Sequence, residues 1–279
     1  MTRFQRWALA LTVPAAVLAI GLYVFPILQV LALSFLEPKT GFGNYVSLFG
    51  NAAIGRVVRT TIIVSLLTTA ITVVLAYVVA FAIVQMPRGR RRVALFLVMV
   101  PFWISVLVRA FSWITILRRN GVLNTVLTEA GAISDPLDLV YNQFGVIVGM
   151  VHYMMPFAIL LLVANLGDID RRIIQAARSL GAQPATVFWR VWLPLSLPGI
   201  SIATLFTVIF SLGFLVTPAI LGAGRVLMIA EYISVQISST LRWGVATALS
   251  TLMLVAVGLL VAVAMRHPAM RAAFGGGRA

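Results

Sequence analysis

Six stretches of this chain are apolar over a length that crosses a bilayer, for which about 20 residues are needed. They run Trp7–Phe35, Thr60–Val84, Val93–Leu117, Gly145–Leu166, Leu195–Thr217 and Gly244–Met265. A chain built this way is expected to be all-α: a polytopic integral membrane protein of six transmembrane helices in a single domain, residues 1–279. The first run starts behind Arg3 and Arg6 as a signal peptide would, but it continues to Phe35, well past a signal core. It is therefore read as an uncleaved first helix, about 7–35, ahead of a core of about 56–265.

Composition agrees: 61% of residues are apolar and 10% charged, where a soluble domain has roughly half and a quarter. The absence of cysteine excludes disulfides, thiolate zinc sites and cysteine nucleophiles. The two histidines, His152 and His267, are far apart in sequence, so no metal and no cofactor is expected. A net charge of +14 would suit nucleic acid, but no aromatic-plus-basic module accompanies it. Arginine on cytoplasmic loops explains the charge.

Placing the N-terminus inside assigns 13 arginines and two acids, Asp168 and Asp170, to the cytoplasmic side. The opposite side then holds eight basic residues and five acids. The positive-inside rule supports that orientation, with both termini cytoplasmic. The opposite-side connections are Glu37–Arg59, Arg118–Gln143 and Pro218–Trp243; the second carries a turn pair, Asn120-Gly121, and a helix-discouraging Asp135-Pro136. Pro14, Pro26, Pro101, Pro156, Gly149, Gly213 and Gly258 lie in or beside the spans. They are read as ordinary membrane-helix usage ahead of hinges. The Gly275-Gly276-Gly277 tail is expected to fray.

The connection over about 167–194 is too polar to span and too patterned to be a linker. Asp168 or Asp170 is suited to cap a helix. Ile173, Ile174, Ala177 and Leu180 follow at helical spacing, and Gly181 falls where a left-handed residue ends a helix. Pro184 suits the first turn of a second helix, whose apolar face would be Val187, Phe188, Val191 and Trp192. Pro194 and Pro198 then mark the approach to the fifth span. The product is two short helices meeting at a glycine elbow, with small Ala176 and Ala177 open to another surface. The apolar residues either pack under the chain's own spans or dock into a partner; local pattern does not separate these.

The run Ala176-Ala177-x3-Gly181-x9-Val191-x-Leu193-Pro194 resembles the EAA loop of binding-protein-dependent ABC importer permeases. Two departures stand out: Val191 replaces the usual isoleucine, and Gln175 occupies the family's glutamate position, which weakens a charge-assisted contact. The resemblance continues through Pro101-Phe102-Trp103, Leu107-Val108-Arg109, Asn120-Gly121-x2-Asn124, Leu195-Ser196-Leu197-Pro198-Gly199-Ile200 and Gly213-Phe214-x2-Thr217-Pro218. These segments are similar to the spermidine/putrescine subgroup. The resemblance implies a permease in the bacterial inner membrane, working with a cytoplasmic ABC ATPase dimer, a second related permease and a periplasmic solute-binding protein. It also implies that Gln175, Ala176, Ala177, Gly181, Leu193 and Pro194 couple the permease to the ATPase.

No Gly-x4-Gly-Lys-Ser/Thr loop occurs, so the chain is not expected to hydrolyse ATP or to act as an enzyme. A substrate path would involve Trp103, Arg109, Trp113, Tyr153 and Phe214, which otherwise serve as packing. Arg109, the one charge well inside an apolar run, either contacts substrate, snorkels, or pairs with an acid. His152 is read as packed and hydrogen-bonded. No acid lies deep in a span, and Glu231 is assigned to the last connection, which counts against a polyamine site made by this chain alone. A secondary carrier would need titratable groups in the spans, and a membrane enzyme a polar cluster at one face; neither pattern is present. The rival cargo within the ABC class is an opine, an amino acid-like compound or a phosphonate.

Overall fold

A computed structural model describes residues 3–268 and Met270, with backbone alone for residues 3–6 and 8–10. The glycine tail, Arg271 and Arg278 lie outside the described residues, as do the side chains of Arg3 and Arg6. The described chain is helical: α1 Arg3–Leu36, α2 Gly43–Gly50, α3 Ala52–Gln85, α4 Arg88–Met99, α5 Val106–Leu117, α6 Val122–Glu129, α7 Gln143–Gly167, α8 Arg171–Ser179, α9 Pro184–Val187, α10 Leu193–Leu212, α11 Val216–Gly222, α12 Ile229–Ser238 and α13 Trp243–Ala264.

Five helical runs are long and apolar enough to span: Leu11–Leu36, Ala52–Gln85, Gln143–Gly167, Pro184–Leu212 and Trp243–Ala264. The sixth candidate is a bent pair of helices, which counts as a crossing only if the two are taken as one span. The expected continuous span Val93–Leu117 is instead broken: α4 passes through a 3₁₀ turn, Val100–Trp103, and α5 leaves at 95°. Pro101 lacks the amide that would continue the α4 ladder, and Ile104 and Ser105 adopt extended backbone. The fifth span also differs. It begins at Pro184 and stops at Leu212, so Gly213 and Phe214 form a junction before α11.

The chain divides into two compact units, one of residues up to Arg56 with Tyr232–Ala256, the other of Val57–Glu231 with the chain from Val257. In the first, α1 exposes its apolar side chains from Leu11 to Leu28, as a lipid-facing helix does. Asn44 fastens α2 to the end of α1, donating to the carbonyls of Ser34 (3.0 Å) and Glu37 (2.6 Å).

The second unit is built on α7, which Asn142 caps by accepting from Gly145 N at 3.0 Å. Gly149 lets α11 press against α7: a Cβ there would overlap the Leu221 and Thr217 side chains. Gly199 likewise lets α10 close on Asn165. One apolar cluster joins Val64 to Val146, Met150, Met154, Phe214, Leu221, Val226 and Met228. The other, at the opposite end of α7, joins Ala76–Val84 of α3 to Ala158–Leu166, Ile174, Val187 and Trp192. The non-helical stretch around Asp135-Pro136 is held by buried Asn124, which donates to Leu137 O (2.9 Å) and accepts from Leu137 N (2.8 Å).

Candidate functional site

Asp170 starts α8, its Oδ1 accepting from Arg172 N at 2.9 Å. The helix ends as a Schellman motif: Gly181 N donates to Arg178 O (2.9 Å) and Ala182 N to Ala177 O (3.2 Å). Gly181 has φ +81°, and a Cβ there would meet nothing within 4 Å. Glycine is thus required by backbone conformation rather than by crowding. Gln183 is extended and Pro184 opens α9. The expected elbow is present, but its second arm is not a separate short helix. A π turn, Phe188–Trp192, carries α9 straight into α10. This wider turn gives the ring of Pro194 room and leaves Leu193 N bonded to Phe188 O.

Tertiary packing decides which apolar residues face inward. Ile174, Val187 and Trp192 are buried against α3 and α7, and Ala177, Ala182, Phe188, Val191 and Leu193 pack on the same cluster. The Phe81 ring sits edge-on to both Phe188 and Trp192 at 5.3 Å. Burying side chains of this size is worth about 1.5–3 kcal/mol each, so the elbow is fastened to the unit. Gln175, Ala176, Gly181 and Pro194 are exposed. Leu180 is 89% exposed and Trp189 65%. Ile173 and Leu180, counted with the apolar spacing of α8, therefore point away from the core.

Arg171 Nη2 donates to Val84 O at 2.9 Å, satisfying a carbonyl at the end of α3. Arg91 lies beside Gly167, the end of α7, so the basic run at 88–92 and the elbow share one end of this unit. Between α8, the end of α3 and Trp192 opens a cleft of about 200 Å³ lined by Gln85, Arg171, Ile174, Gln175, Arg178 and Trp192. Gln175 lies one turn after Arg171 and one turn before Arg178.

Four of the five residues expected along a substrate path come together in the broken-span half of this unit. Arg109 Cζ lies 4.4 Å over the Tyr153 ring, a cation–π contact. Its Nε is buried without a partner. Tyr153 is 4.7 Å from Phe214, and Phe157 and Phe210 extend the aromatic wall. Trp113 Nε1 donates to His152 Nδ1 at 3.2 Å, so His152 is packed and hydrogen-bonded as expected. Arg109 meets a ring rather than an acid. Trp103 stands apart in the 3₁₀ turn, 85% exposed.

Two features escaped the sequence reading. Glu231, assigned to an outlying connection, is only 9% exposed, and its Oε2 lacks a partner. Burial pushes its carboxyl above the usual range. The hydroxyls of Ser65, Thr68, Thr69 and Thr72 on α3 are also buried and unpartnered. The available signal was their helical spacing inside an otherwise apolar run.

The described chain is thus all-α and multi-span, with one bent candidate crossing and a polar elbow between two spans. The chain matches the family described as "Binding-protein-dependent transport system inner membrane component" over residues 73–272. It belongs to that family, the permease components of ABC importers. It is 33% identical over 252 residues to the spermidine/putrescine transport system permease protein PotB of Haemophilus influenzae, covering 87% of each chain. PotB of Escherichia coli is 30% identical over 202 residues, 72% of this chain and 74% of the relative. Among solved structures, a bacterial alginate ABC transporter in complex with an alginate pentasaccharide-bound periplasmic protein superposes with TM-score 0.82, at 19% identity and 96% coverage of each chain. That likeness is one of fold.

Proposed function

We propose that this chain is the membrane-spanning, non-catalytic subunit of an ATP-driven importer of polyamines such as spermidine and putrescine. A periplasmic binding protein delivers the solute. A second, related permease completes the channel, and a cytoplasmic ATPase dimer supplies the motion. Both termini and the elbow face the cytoplasm, where the 88–92 and 171–190 arginines meet the positive-inside rule. Residues 1–279 act as one permease domain.

The observation that carries the coupling reading is the fastened elbow, with Leu180 and Ala176 outward and Ile174, Val187 and Trp192 anchored inward. A partner that seats on Gln175, Ala176 and Gly181 pushes on α3 and α7 through that anchor, to which Ala177 belongs on the inner side. Leu193 and Pro194 carry the displacement into α10. With Gln175 neutral between Arg171 and Arg178, the cleft presents positive charge, so the matching ATPase surface is acidic. Cargo rests on the likeness to PotB over most of both chains. Trp113, Tyr153 and Phe214 line the path, and Trp103 stands apart from it.

A second reading has one observation in its favour. Arg109 is a partly unsatisfied cation within an aromatic wall, which suits an anionic cargo such as an opine, an amino acid-like compound or a phosphonate. Calorimetry of the cognate binding protein against spermidine, putrescine and opines separates the two. Polyamine binding is expected, and its absence removes polyamines as cargo.

A further inference from the structure

Of the seven acids in the chain, six are exposed and only Glu231 is buried. Among the described residues the single salt bridge is Arg119–Asp138 at 3.4 Å, so no described cation pairs with Glu231. A buried carboxylate without a counter-charge is costly and is resolved by protonation or by a bound cation.

Its surroundings favour a cation. Glu231 lies in the first turn of α12, and α12 is pinned to α3 where Ile229 N donates to Thr61 Oγ1 at 2.9 Å. Thr61 heads a face of α3 on which Ser65, Thr68 and Thr72 follow at spacings of four, three and four, with Thr69 beside them. This face runs about 16 Å at a rise of about 1.5 Å per residue. Thr61 is satisfied by Val57 O at 2.8 Å. The other four hydroxyls are at most 4% exposed and have no partner. Serine and threonine inside a helix usually turn the hydroxyl onto a carbonyl one turn back, and here they do not. Their oxygens remain acceptors.

We propose that Glu231 and the Ser65–Thr68–Thr72 face of α3 form a binding track for the ammonium groups of an aliphatic polyamine. An ammonium carries three N–H donors and no acceptor. A carboxylate at the Thr61 end of α3 and hydroxyl oxygens along that helix match that demand, and the track's length suits charges separated by methylenes. The inference rests on the polyamine reading above.

The test is initial uptake of radiolabelled putrescine and spermidine into proteoliposomes holding the complete transporter. Glu231→Gln is expected to lower uptake by about tenfold or more, the scale of one charge-assisted contact, and Glu231→Asp to restore it to within about threefold. Thr68→Val is expected to lower uptake while raising the thermal stability of the complex, since it removes an unpartnered buried hydroxyl. Uptake by Glu231→Gln within about twofold of wild type overturns the proposal, as does equal failure of Glu231→Asp. A Glu231→Gln complex that does not assemble also overturns it, because the acid would then be structural. Wild-type uptake that depends on Na⁺, with that dependence lost in Glu231→Gln, assigns the site to an inorganic cation instead. A wild-type complex that imports neither amine refutes the polyamine reading before Glu231 is altered.

Discussion

Replacing Gly181 isolates backbone conformation from every other property of the elbow. At φ +81° a Cβ meets nothing within 4 Å, so a larger residue costs only its own left-handed strain. That strain is about 1–2 kcal/mol for a residue with a Cβ, with β-branched side chains at the upper end. Asparagine tolerates the conformation. One to two kcal/mol lowers the population of the elbow by a factor of about 5 to 30 against competing turns. The Gly181–Arg178 and Ala182–Ala177 hydrogen bonds are lost together with it. Cargo-stimulated ATPase activity of the assembled complex should therefore fall in the order Gly, Asn, Ala, Val, with Gly181→Asn close to wild type. The assay is paired with co-purification of the ATPase to show that the complex is intact. Full stimulation in an intact Gly181→Val complex refutes the reasoning, and so does Gly181→Asn failing as badly as Gly181→Val.

Leu180→Asp changes a side chain that is 89% exposed; it should leave the thermal stability of the permease within about 0.5 kcal/mol yet reduce co-purification of the ATPase. Equal ATPase recovery would place the contact elsewhere. Gly199→Val forces a Cβ into Asn165 and should cost about 1–3 kcal/mol by overpacking. Gly258→Val, with open space around it, should be neutral, and equal melting temperatures would show that α10 and α7 do not need this approach. For Glu231 the native pKa is raised above the usual 4.5 by burial. The stability this confers is fully present below the unfolded pKa and is lost as pH rises through the native value. Without polyamine, the detergent-solubilised complex should melt lower at pH 8 than at pH 5 by a share that Glu231→Gln abolishes; identical pH slopes would refute it.

The spans that were legible are those whose signal is local. The α1, α7 and α13 runs need only a length of apolar residues, and their bounds differ little from the expected ones. The elbow was legible for the same reason. An acid at a helix start, a glycine at its end and a proline at the next start each act on their own backbone. The broken third crossing was misread, because Val93–Leu117 is as apolar as an unbroken helix and Pro101 passed as ordinary membrane-helix usage. Its course is set by contacts such as Phe102 edge-on to Phe157 at 4.6 Å. The continuity of α9 with α10 was hidden too, since Pro194 and Pro198 read as stops until a π turn makes room for them.

Residue chemistry along one stretch thus determined that this chain is a helical membrane protein and where its 167–194 connection turns. Tertiary structure alone decided which side of each pattern is covered. Ile173 and Ile174 are adjacent and chemically equal, yet one is 47% exposed and the other 5%, because only Ile174 faces the cluster formed with α3 and α7. Glu231 was read only as an acid of the last connection, and packing alone shows that it is enclosed. Turns and caps depend on the nearest few residues, whereas burial depends on elements more than a hundred residues away, and no local pattern carries that distance.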